Sequence, residues 1–398
     1  MPYLSLPLIA LLLLTGVVAM AAPHDAYPDA DHLPVISELP DPFLLPNGKR
    51  VKSAKEWEAH RKALLETILH YEYGPLPPVL DHVVGTETAS RQIEATHATE
   101  REILLTMGPE DAIKTHLILT LPAGKGPFPI ILRGDLCWGR LDPAIVAEVV
   151  RRGYALAEFD RTEIAPDSKE RGGVYAAYPD YQGGRLSAWA WGYHRVTDYL
   201  WKQPFVDRRH IVVTGHSRGG KATLLAGATD PRIALTAPNN SGCGGAGCFR
   251  YQADKSEDIA AILKSFPFWF EPHFGDFIGK VDRLPFDQHT LKALIAPRAL
   301  LSTEGLEDLW ANPKGTQQTW AAAREVYAFL GANERIGIRF RPGGHEHGMA
   351  DWTALLDFAD QQFFHKSSTG PFDQPAFPDL PKAYAWGNPD KGGTPSRK

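Results

Sequence analysis

A serine lies at the centre of a Gly-x-Ser-x-Gly motif, Gly215 to Gly219, directly after the apolar run Ile211-Val212-Val213. A stretch of small residues with helical composition follows, from Gly220 to Gly227. The two outer glycines of the motif allow a backbone turn so tight that a serine hydroxyl stands exposed above the edge of a sheet. This order of strand, sharp turn and helix predicts a nucleophile elbow, with Ser217 as the nucleophile.

A serine hydroxyl is a poor nucleophile at neutral pH and needs an adjacent base that a third group orients. In α/β-hydrolases these groups follow in the chain order serine, acid, histidine. The short strand predicted at Ile338-Arg339-Phe340 leads into a glycine-rich loop with His345 and His347. His345 comes first after the strand and directly follows the glycines, so it is the favoured base. The alternatives are loop histidines without a role, or a His-x-His metal pair, which lacks a third His or Cys ligand.

The acid of such a triad is expected in the loop after another predicted strand, Ala299-Leu300-Leu301. This loop carries three carboxylates, Glu304, Glu307 and Asp308. One of them should orient the imidazole and stabilise its charged form. Glu304 is closest to the end of the strand and the other two lie deeper in the loop. Because loop carboxylates are usually just solvated, spacing alone leaves the choice among the three open.

The composition is that of an ordinary globular enzyme. The 398 residues suffice for one large α/β domain with an appendage, or for two domains. A hydrophobic content of 43% and a charged content of 22% are typical of soluble enzymes. The net charge of −5 argues against a nucleic-acid binder, which would carry a basic patch. The ten tryptophans and 13 tyrosines suit either ordinary packing or a sugar-facing cleft, and composition alone favours packing.

The N-terminus has the pattern of a secretory signal peptide. An apolar run from Leu4 to Ala22 ends in Ala19-Met20-Ala21-Ala22, a small-residue cleavage site. We therefore predict a signal peptide over residues 1–21 and an exported chain, periplasmic or secreted, without stable membrane association after cleavage. Because no Lys or Arg precedes the run, an uncleaved anchor is the alternative. No other run approaches transmembrane length.

The three cysteines of the chain allow at most one disulfide and one free thiol. Cys243 and Cys248 flank a Gly-Gly-Ala-Gly segment that could fold back on itself, and Cys137 lies in a different loop. The sequence leaves the pairing open, and no cysteine has a partner pattern that indicates catalysis.

The elements that must position these residues form a single predicted catalytic domain, residues 22–366. Ser53 to Glu56 reads as a capping box that opens a helix through about His70. Residues 81–122 alternate like antiparallel strands. From Phe128 onward, strands and helices alternate, which indicates a mostly parallel sheet covered on both faces. Residues 367–398, rich in Pro, Gly and Lys, are predicted to be a loosely attached tail.

Two long insertions, residues 158–186 and 240–290, interrupt the alternation of strands and helices. In an open α/β fold, loops at the carboxyl ends of the strands build the substrate site. The insertions are therefore expected to form the walls of a substrate cleft. Within the second insertion, Glu257 and Trp269 are candidate substrate-binding residues.

Several segments together identify the chain as similar to the glucuronoyl esterases of carbohydrate esterase family 15, and most closely to their bacterial members. The serine motif with Arg218 next and Lys221 four residues after Ser217 is much more specific than the bare elbow. The other matching segments, spread over nearly the whole predicted mature chain, are Leu39-Pro40-Asp41-Pro42-Phe43, Tyr73-Gly74, Ala188-Trp189-Ala190-Trp191-Gly192, Asn239-Asn240-Ser241-Gly242-Cys243-Gly244-Gly245, Ser265-Phe266-Pro267, Leu284-Pro285-Phe286-Asp287-Gln288-His289 and Asp308-Leu309-Trp310.

The resemblance implies an α/β-hydrolase fold, a three-layer sandwich with a mostly parallel central sheet. It implies hydrolysis of esters of 4-O-methyl-glucuronic acid, which link glucuronoxylan to lignin alcohols in plant cell walls. By similarity, Ser217 is the nucleophile, His345 the base, and Arg218 stabilises the oxyanion. Lys221 would bind hydroxyls of the uronate, and Trp310 would line the sugar site. No cofactor or metal is implied, and the expected protein is a monomer whose partner is a carbohydrate.

Two departures from the family pattern bear on mechanism and specificity. Many relatives carry the triad glutamate where this chain has Asn240, which cannot hold the charge, and the resemblance therefore selects Asp308 as the acid. The loop at 133–138 also differs from the family, and it lies near the expected oxyanion region. An acetyl or feruloyl esterase on the same fold remains the alternative enzyme, and a weakly catalytic carbohydrate-binding protein the alternative outside enzymes.

Overall fold

The computed structural model describes residues 27–80, 82–368 and 370–391, so the predicted signal peptide lies outside the described residues. Its framework is one nine-stranded sheet with the spatial order β1-β2-β3-β5-β4-β6-β7-β8-β9. The strands are β1 (Val83–Ile93), β2 (Ala98–Met107), β3 (Ile113–Leu121), β4 (Phe128–Arg133), β5 (Ala155–Phe159), β6 (Val206–His216), β7 (Leu235–Asn239), β8 (Ala299–Gly305) and β9 (Ile336–Arg341).

The sheet is antiparallel at one end and parallel at the other. Strands β1, β2, β3 and β5 pair antiparallel, whereas β5-β4-β6-β7-β8-β9 is a parallel series. The central strands β5, β7 and β8 are buried along their whole length. Continuous burial is the pattern of a parallel strand with a layer on each face. The predicted antiparallel start and parallel continuation are both confirmed.

Ten α-helices accompany the strands within the described ranges. They are α1 (Ala54–Ile68), α2 (Pro143–Arg151), α3 (Arg161–Ile164), α4 (Val174–Ala177), α5 (Arg185–Trp201), α6 (Arg218–Thr229), α7 (Ile259–Ser265), α8 (Gln288–Ala293), α9 (Pro313–Phe329) and α10 (Met349–Phe364). The predicted cap of α1 is present, since the Ser53 hydroxyl accepts a hydrogen bond from the backbone of Glu56. Among the described residues, no helix is both long and apolar enough to cross a membrane.

The two faces of the sheet bury separate hydrophobic cores. Along β4, Ile130 and Leu132 join the core under α5, α6 and α9, while Ile131 joins the core under α2 and α10. The same alternation holds along β6, where Val213 and Val212 face opposite sides. Because side chains alternate along a strand, each face carries its own helical layer. The three-layer α/β-hydrolase architecture is therefore confirmed.

Residues 370–391 do not form the loosely attached tail that we predicted. The backbone N–H of Ile338 in the edge strand β9 donates to the Phe372 carbonyl at 2.8 Å. Phe372 is buried against Phe358, with 4.9 Å between ring centroids. Trp386 donates from its indole to the Leu39 carbonyl at 2.6 Å. The prediction is wrong for this segment because its scattered aromatic residues bury themselves against the domain despite the Pro- and Gly-rich composition.

All three cysteines lie among the described residues, and each is a free thiol. Cys243 and Cys248 are both buried without pairing, although they flank the same glycine-rich segment. Burial also raises the pKa of the Cys137 thiol to about 11. A neutral thiol is a poor nucleophile, so Cys137 is not poised for catalysis.

Candidate active site

The predicted elbow is present at the junction of β6 and α6. Ser217 stands between them with φ 53° and ψ −123°, a strained conformation that points its side chain away from the strand. A Cβ on Gly219 would lie 1.9 Å from an Asp135 carboxylate oxygen, and one on Gly215 would lie 2.6 Å from the Gly219 carbonyl. The two glycines of the motif are thus required by close packing on both sides of the serine.

The structure brings Ser217, His345 and Asp308 into one hydrogen-bonded chain. The Nε2 atom of His345 lies 2.9 Å from the Ser217 Oγ, and its Nδ1 atom lies 2.6 Å from Asp308 Oδ2. A carboxylate accepts only, so Nδ1 donates to it and Nε2 is left to accept the serine proton. This arrangement can activate the hydroxyl and stabilise the imidazolium that results.

The other candidate acids and the second candidate histidine do not lie beside Ser217. Glu304 is fully buried, and the loss of hydration raises the pKa of its carboxyl above the usual range. Glu307 is exposed to solvent. His347 stacks on Trp352 with 5.1 Å between centroids, and burial lowers the pKa of its imidazole well below the usual value. Of the candidates, only Asp308 and His345 are brought to the serine.

Asn240 links the two loops that carry the acid and the histidine. Its Oδ1 accepts from the Gly305 N–H at 2.9 Å, and its Nδ2 donates to the Gly344 carbonyl at 3.1 Å. Gly305 ends β8 just before the acid loop, and Gly344 directly precedes His345. The amide that stands in the place of the family's glutamate is therefore a neutral bridge, which needs both a donor and an acceptor.

His216, the residue before the nucleophile, packs against the base. Its ring lies 4.5 Å from that of His345, and its Nδ1 is 2.6 Å from the Asn239 side-chain oxygen. Burial, followed by the nearby His345, lowers the pKa of His216 to about 4. A neutral neighbour does not oppose the positive charge that His345 must carry during a reaction.

A buried ion pair below the elbow was not identified from the sequence. Asp135 accepts from the His216 N–H at 2.8 Å and from the Arg161 guanidinium at 2.5 Å, and both charged side chains are fully buried. Asp135 thus anchors the backbone just before Ser217. The sequence feature that could have identified Asp135 is its position just after a buried parallel strand, because ligands of α/β folds bind at the carboxyl ends of such strands.

The Arg218 guanidinium is held beside the elbow by a carboxylate and by aromatic rings. It donates to Asp167 at 2.7 Å and lies 4.7 Å from the Trp269 ring and 4.8 Å from the Phe266 ring. Asp167 belongs to the first insertion and both rings to the second. The two insertions therefore meet at this arginine, close to the nucleophile, as expected for walls of a cleft.

Trp269 itself has a different place from the one predicted. Its side chain is only 2% exposed, because it stacks on Phe266 with 3.9 Å between centroids. Its indole N–H donates to Asp167 at 2.8 Å. Phe266 stacks on the ring and the Arg218 guanidinium lies over it at 4.7 Å, so the contacts of Trp269 in the structure are with the protein itself. Trp269 instead orients the carboxylate that holds Arg218.

Lys221, Glu257 and Trp310 lie together next to the elbow. The Lys221 ammonium donates to the carbonyls of Ser241 at 2.6 Å and Cys243 at 2.5 Å, and lies 3.8 Å from a Glu257 carboxylate oxygen. Burial lowers the pKa of Lys221 and raises that of Glu257, with each charge opposing the shift of the other. Glu257 donates from its backbone to the Trp310 carbonyl at 3.0 Å, and the Trp310 side chain is exposed.

Comparison with known proteins places the chain among carbohydrate esterases. A family model described as "Glucuronyl esterase, fungi" matches residues 107–331, more than half of the chain. A 4-O-methyl-glucuronoyl methylesterase of Podospora anserina is 33% identical over 327 residues, which cover 79% of this chain and 64% of that protein. Carbohydrate esterase MZ0003, from an unknown prokaryotic organism, is 30% identical over 385 residues, covering 81% of this chain and 89% of that protein.

Among solved structures, a carbohydrate esterase family 15 glucuronoyl esterase from Caldicellulosiruptor kristjansonii has a TM-score of 0.76 and 32% identity. The match covers 89% of this chain and 97% of that one. The residues that the family model matches include the elbow and both insertions. The chain belongs to the glucuronoyl esterase family.

Proposed function

We propose that this protein is a serine carboxylester hydrolase that cleaves 4-O-methyl-glucuronoyl esters through an acyl-enzyme intermediate. The observation that carries the proposal is the Ser217–His345–Asp308 chain of hydrogen bonds, with distances of 2.9 Å and 2.6 Å. This triad belongs to a member of the glucuronoyl esterase family. It lies beside the buried Lys221–Glu257 pair, whose charged groups can form hydrogen bonds with sugar hydroxyls. No step of the reaction needs a cofactor.

In the first half of the reaction, Ser217 Oγ attacks the ester carbonyl while His345 Nε2 takes the hydroxyl proton. The tetrahedral intermediate collapses, the bond to the alcohol oxygen breaks, and His345 returns the proton to the leaving alkoxide. In the second half, a water molecule attacks the acyl-enzyme with His345 again as the base. Free uronic acid leaves, and the serine regains its proton. Asp308 stabilises the imidazolium in both halves.

The negative charge on the tetrahedral oxygen is met by Arg218. This residue begins α6, so its backbone N–H lies in the first turn, where N–H groups are free and the helix dipole favours an anion. Its guanidinium adds a full positive charge, fixed in place by Asp167 and the rings around it. Donors that are positioned before the reaction stabilise developing charge without reorganisation.

The sugar ring is bound on the side of Lys221, Glu257 and Trp310. Two of the three ammonium hydrogens of Lys221 go to backbone carbonyls, which leaves the third for a ligand. At 3.8 Å from the ammonium, Glu257 is too far for a direct hydrogen bond and well placed to accept from the same or a neighbouring hydroxyl. The exposed Trp310 ring supplies a flat surface for the pyranose.

We further propose that residues 1–21 are a signal peptide and that the mature protein acts outside the cytoplasm, as a monomer, on decorated glucuronoxylan of plant cell walls. The support is the apolar N-terminal run with its small-residue cleavage site. Fractionation of the producing cells with N-terminal sequencing of the protein tests export. A protein retained in the cytoplasm with its N-terminus intact would refute it.

The decisive experiment measures hydrolysis of methyl glucuronate ester beside acetyl-xylan and a feruloyl ester. We expect turnover of the glucuronate ester and its loss, by on the order of 10⁴–10⁶, in Ser217→Ala. Preferred turnover of acetyl-xylan or the feruloyl ester would replace glucuronate as the substrate. A folded protein without activity on any of the three would favour a carbohydrate-binding role instead.

A further inference from the structure

The base of the triad stands on a loop without helix or strand. This histidine loop, residues 342–348, lies between β9 and α10, and the His345 side chain is 42% exposed. Two glycines, Gly343 and Gly344, directly precede it, and a glycine backbone loses more conformational freedom on ordering than any other. The distance of 2.9 Å between His345 Nε2 and Ser217 Oγ therefore needs a group that holds the loop in one conformation.

The guanidinium of Arg341, the last residue of β9, bonds to the histidine loop on both sides of the base. Its Nη2 donates to the carbonyls of Gly344 at 3.2 Å and Glu346 at 2.6 Å, the two residues that flank His345. Its Nη1 donates to the Pro342 carbonyl and to the Glu346 carboxylate, each at 3.0 Å. One planar group thus holds the backbone of the loop at three positions.

A buried carboxylate of the following helix fixes Arg341 itself. The Arg341 Nε donates to Asp351 Oδ2 at 2.8 Å, and both residues are buried. The same oxygen accepts from the Gly348 N–H at 3.0 Å, so it also holds the end of the histidine loop. With this ion pair all five N–H donors of the guanidinium have a partner. A lysine, with three donors on a flexible stem, cannot form the same set of bonds.

The histidine loop is also bonded to the loop that carries the acid. The Leu306 N–H donates to the Arg341 carbonyl at 2.9 Å. The Glu307 N–H, directly before Asp308, donates to the Gly343 carbonyl at 3.1 Å. A shift of the histidine loop therefore disturbs the acid of the triad as well as the base.

We propose that Arg341 is a positioning residue for the general base: its guanidinium shapes the histidine loop and thereby sets the position of His345 relative to Ser217. This inference rests on the proposed function only in that His345 is taken as the base of ester cleavage, and it does not depend on which ester is the substrate. The bonds of Arg341 go to loop carbonyls and to two carboxylates, so it acts through the loop and not on the substrate.

The test measures kcat and KM of the wild type, Arg341→Ala and Arg341→Lys on methyl glucuronate ester and on an aryl acetate. A misplacement of about 1 Å can cost on the order of 10² in rate, so we expect Arg341→Ala to lower kcat on both esters by about that factor, with KM changed less than about twofold. Arg341→Lys, which keeps the charge and loses the planar fork, should recover little of the loss. Circular dichroism verifies that each variant is folded.

Free guanidinium ion supplies a readout that a general structural defect would not show. Arg341, Pro342 and Asp351 line one surface cavity, so removal of the arginine side chain opens its place to solvent. Guanidinium chloride is added at millimolar concentration, far below the molar range in which it unfolds proteins. We expect it to raise kcat of Arg341→Ala at least about fivefold, because the ion can pair with the same carboxylate and carbonyls. The wild type and Arg341→Lys should not respond, and sodium chloride controls for ionic strength.

Arg339 is the matched control. It lines the same cavity from the same strand, but it donates to the Pro371 carbonyl at 2.8 Å instead of the histidine loop. Arg339→Ala should keep kcat within about twofold of the wild type.

Three results would overturn the inference and leave the proposed function standing: a folded Arg341→Ala with the kcat of the wild type, a change confined to KM for the glucuronate ester, or a loss that guanidinium does not restore. If Arg341→Ala does not fold, Arg341→Lys decides, since wild-type kcat in that variant contradicts the role and a loss on both esters at constant KM supports it. A wild type inactive on the glucuronate ester would instead overturn the proposed function, while the aryl acetate still tests Arg341.

Discussion

Three side chains contact the His345 imidazole, and each has a different role. Asp308 supplies the offsetting negative charge at 2.6 Å. His216 packs against the ring, and because burial lowers the pKa of His216 to about 4, it adds no positive charge at neutral pH. Ser217 lies on the opposite nitrogen at 2.9 Å. A base in this setting can cycle between neutral and charged forms without a competing cation in ring contact.

Asp308→Asn should lower kcat on glucuronate esters by about 10⁴, because an amide can neither fix the same imidazole tautomer nor offset its charge. Steady-state kinetics on the methyl ester measure the loss. Glu307→Gln is the matched control, since this carboxylate lies in the same loop and is exposed; its activity should stay within about twofold of the wild type. A mild Asp308→Asn beside a severe Glu307→Gln would show that the acid has been misplaced.

At the scale of secondary-structure elements, the site depends on how loops from separate strands are tied together. The acid loop leaves β8 and the histidine loop leaves β9, and the Asn240 amide after β7 bonds to both. Its φ of 42° is unusual for a residue other than glycine and suits asparagine better than most. The Asn240 side chain thus joins the loops that follow three neighbouring strands, although it does not contact Ser217.

Asn240→Ala should lower kcat about 10- to 100-fold with little change in KM, because it releases the two loops that set the triad geometry while leaving the sugar contacts in place. The same fall in kcat should be seen on an aryl acetate, which lacks the sugar. Asn388→Ala, at a buried asparagine outside the site, is the control for loss of a buried amide. A pure rise in KM in Asn240→Ala would assign the residue to substrate binding instead.

The local sequence pattern of α9 indicates a helix only weakly. Its first turn contains Pro313 and Gly315, which on their own favour a loop, and the sequence pattern did not predict the helix. The Asn312 side chain accepts from the Gly315 N–H at 2.9 Å and caps the helix, and proline is well tolerated in a first turn. The helix is then stabilised by tertiary contacts, through Trp320 and Val326 in the core under the sheet.

At the scale of the whole molecule, the buried carboxyl group of Glu72 links stability to pH. Glu72 is fully buried, and burial raises its pKa to about 8, with Gln288 donating to it at 2.5 Å. In the unfolded chain it ionises near 4.5, the ordinary value. Because the folded pKa is the higher of the two, its stabilising contribution is complete below about pH 4.5 and is lost as pH rises through 8.

We therefore expect the free energy of unfolding of the wild type, measured relative to Glu72→Gln, to fall between pH 5 and 8. The slope should approach about 1.4 kcal/mol per pH unit in the middle of this range. Urea unfolding of both proteins at several pH values measures it, and subtraction removes the other titrating groups. A difference that stays constant across the range would mean that Glu72 is ionised in the folded protein.

The C-terminal segment is part of the folded unit rather than an appendage. Deletion of residues 370–398 removes Phe372 from its core position and leaves the Ile338 N–H of β9 without its acceptor. We expect a loss of at least about 3 kcal/mol in the free energy of unfolding, the range for removing a buried phenylalanine. Phe372→Ala alone should reproduce much of this loss. Unchanged thermal unfolding after the deletion would contradict the packing described for this segment.

The sequence by itself determined the features that depend on local backbone chemistry. Glycines around a serine between a β-branched strand and a small-residue helix specify the elbow, because few other residues fit its turn. The alternation of apolar residues specified the antiparallel start, the parallel continuation and the covering helices. The position of His345 directly after a strand and two glycines identified the base, and similarity to a family of known motifs selected Asp308 from three acids that spacing left open.

Only the tertiary structure decided which side chains are open to a substrate, because burial depends on residues distant in the chain. Trp269 and Trp138 are both aromatic residues in loops at the same end of the sheet, yet one is stacked under Phe266 and the other is exposed. Asp135 and Arg161 form an ion pair between two loops, and the C-terminal segment accepts a hydrogen bond from the edge strand β9. These contacts depend on complementary shapes and charges of segments that are distant in the sequence. A local sequence pattern therefore does not predict them.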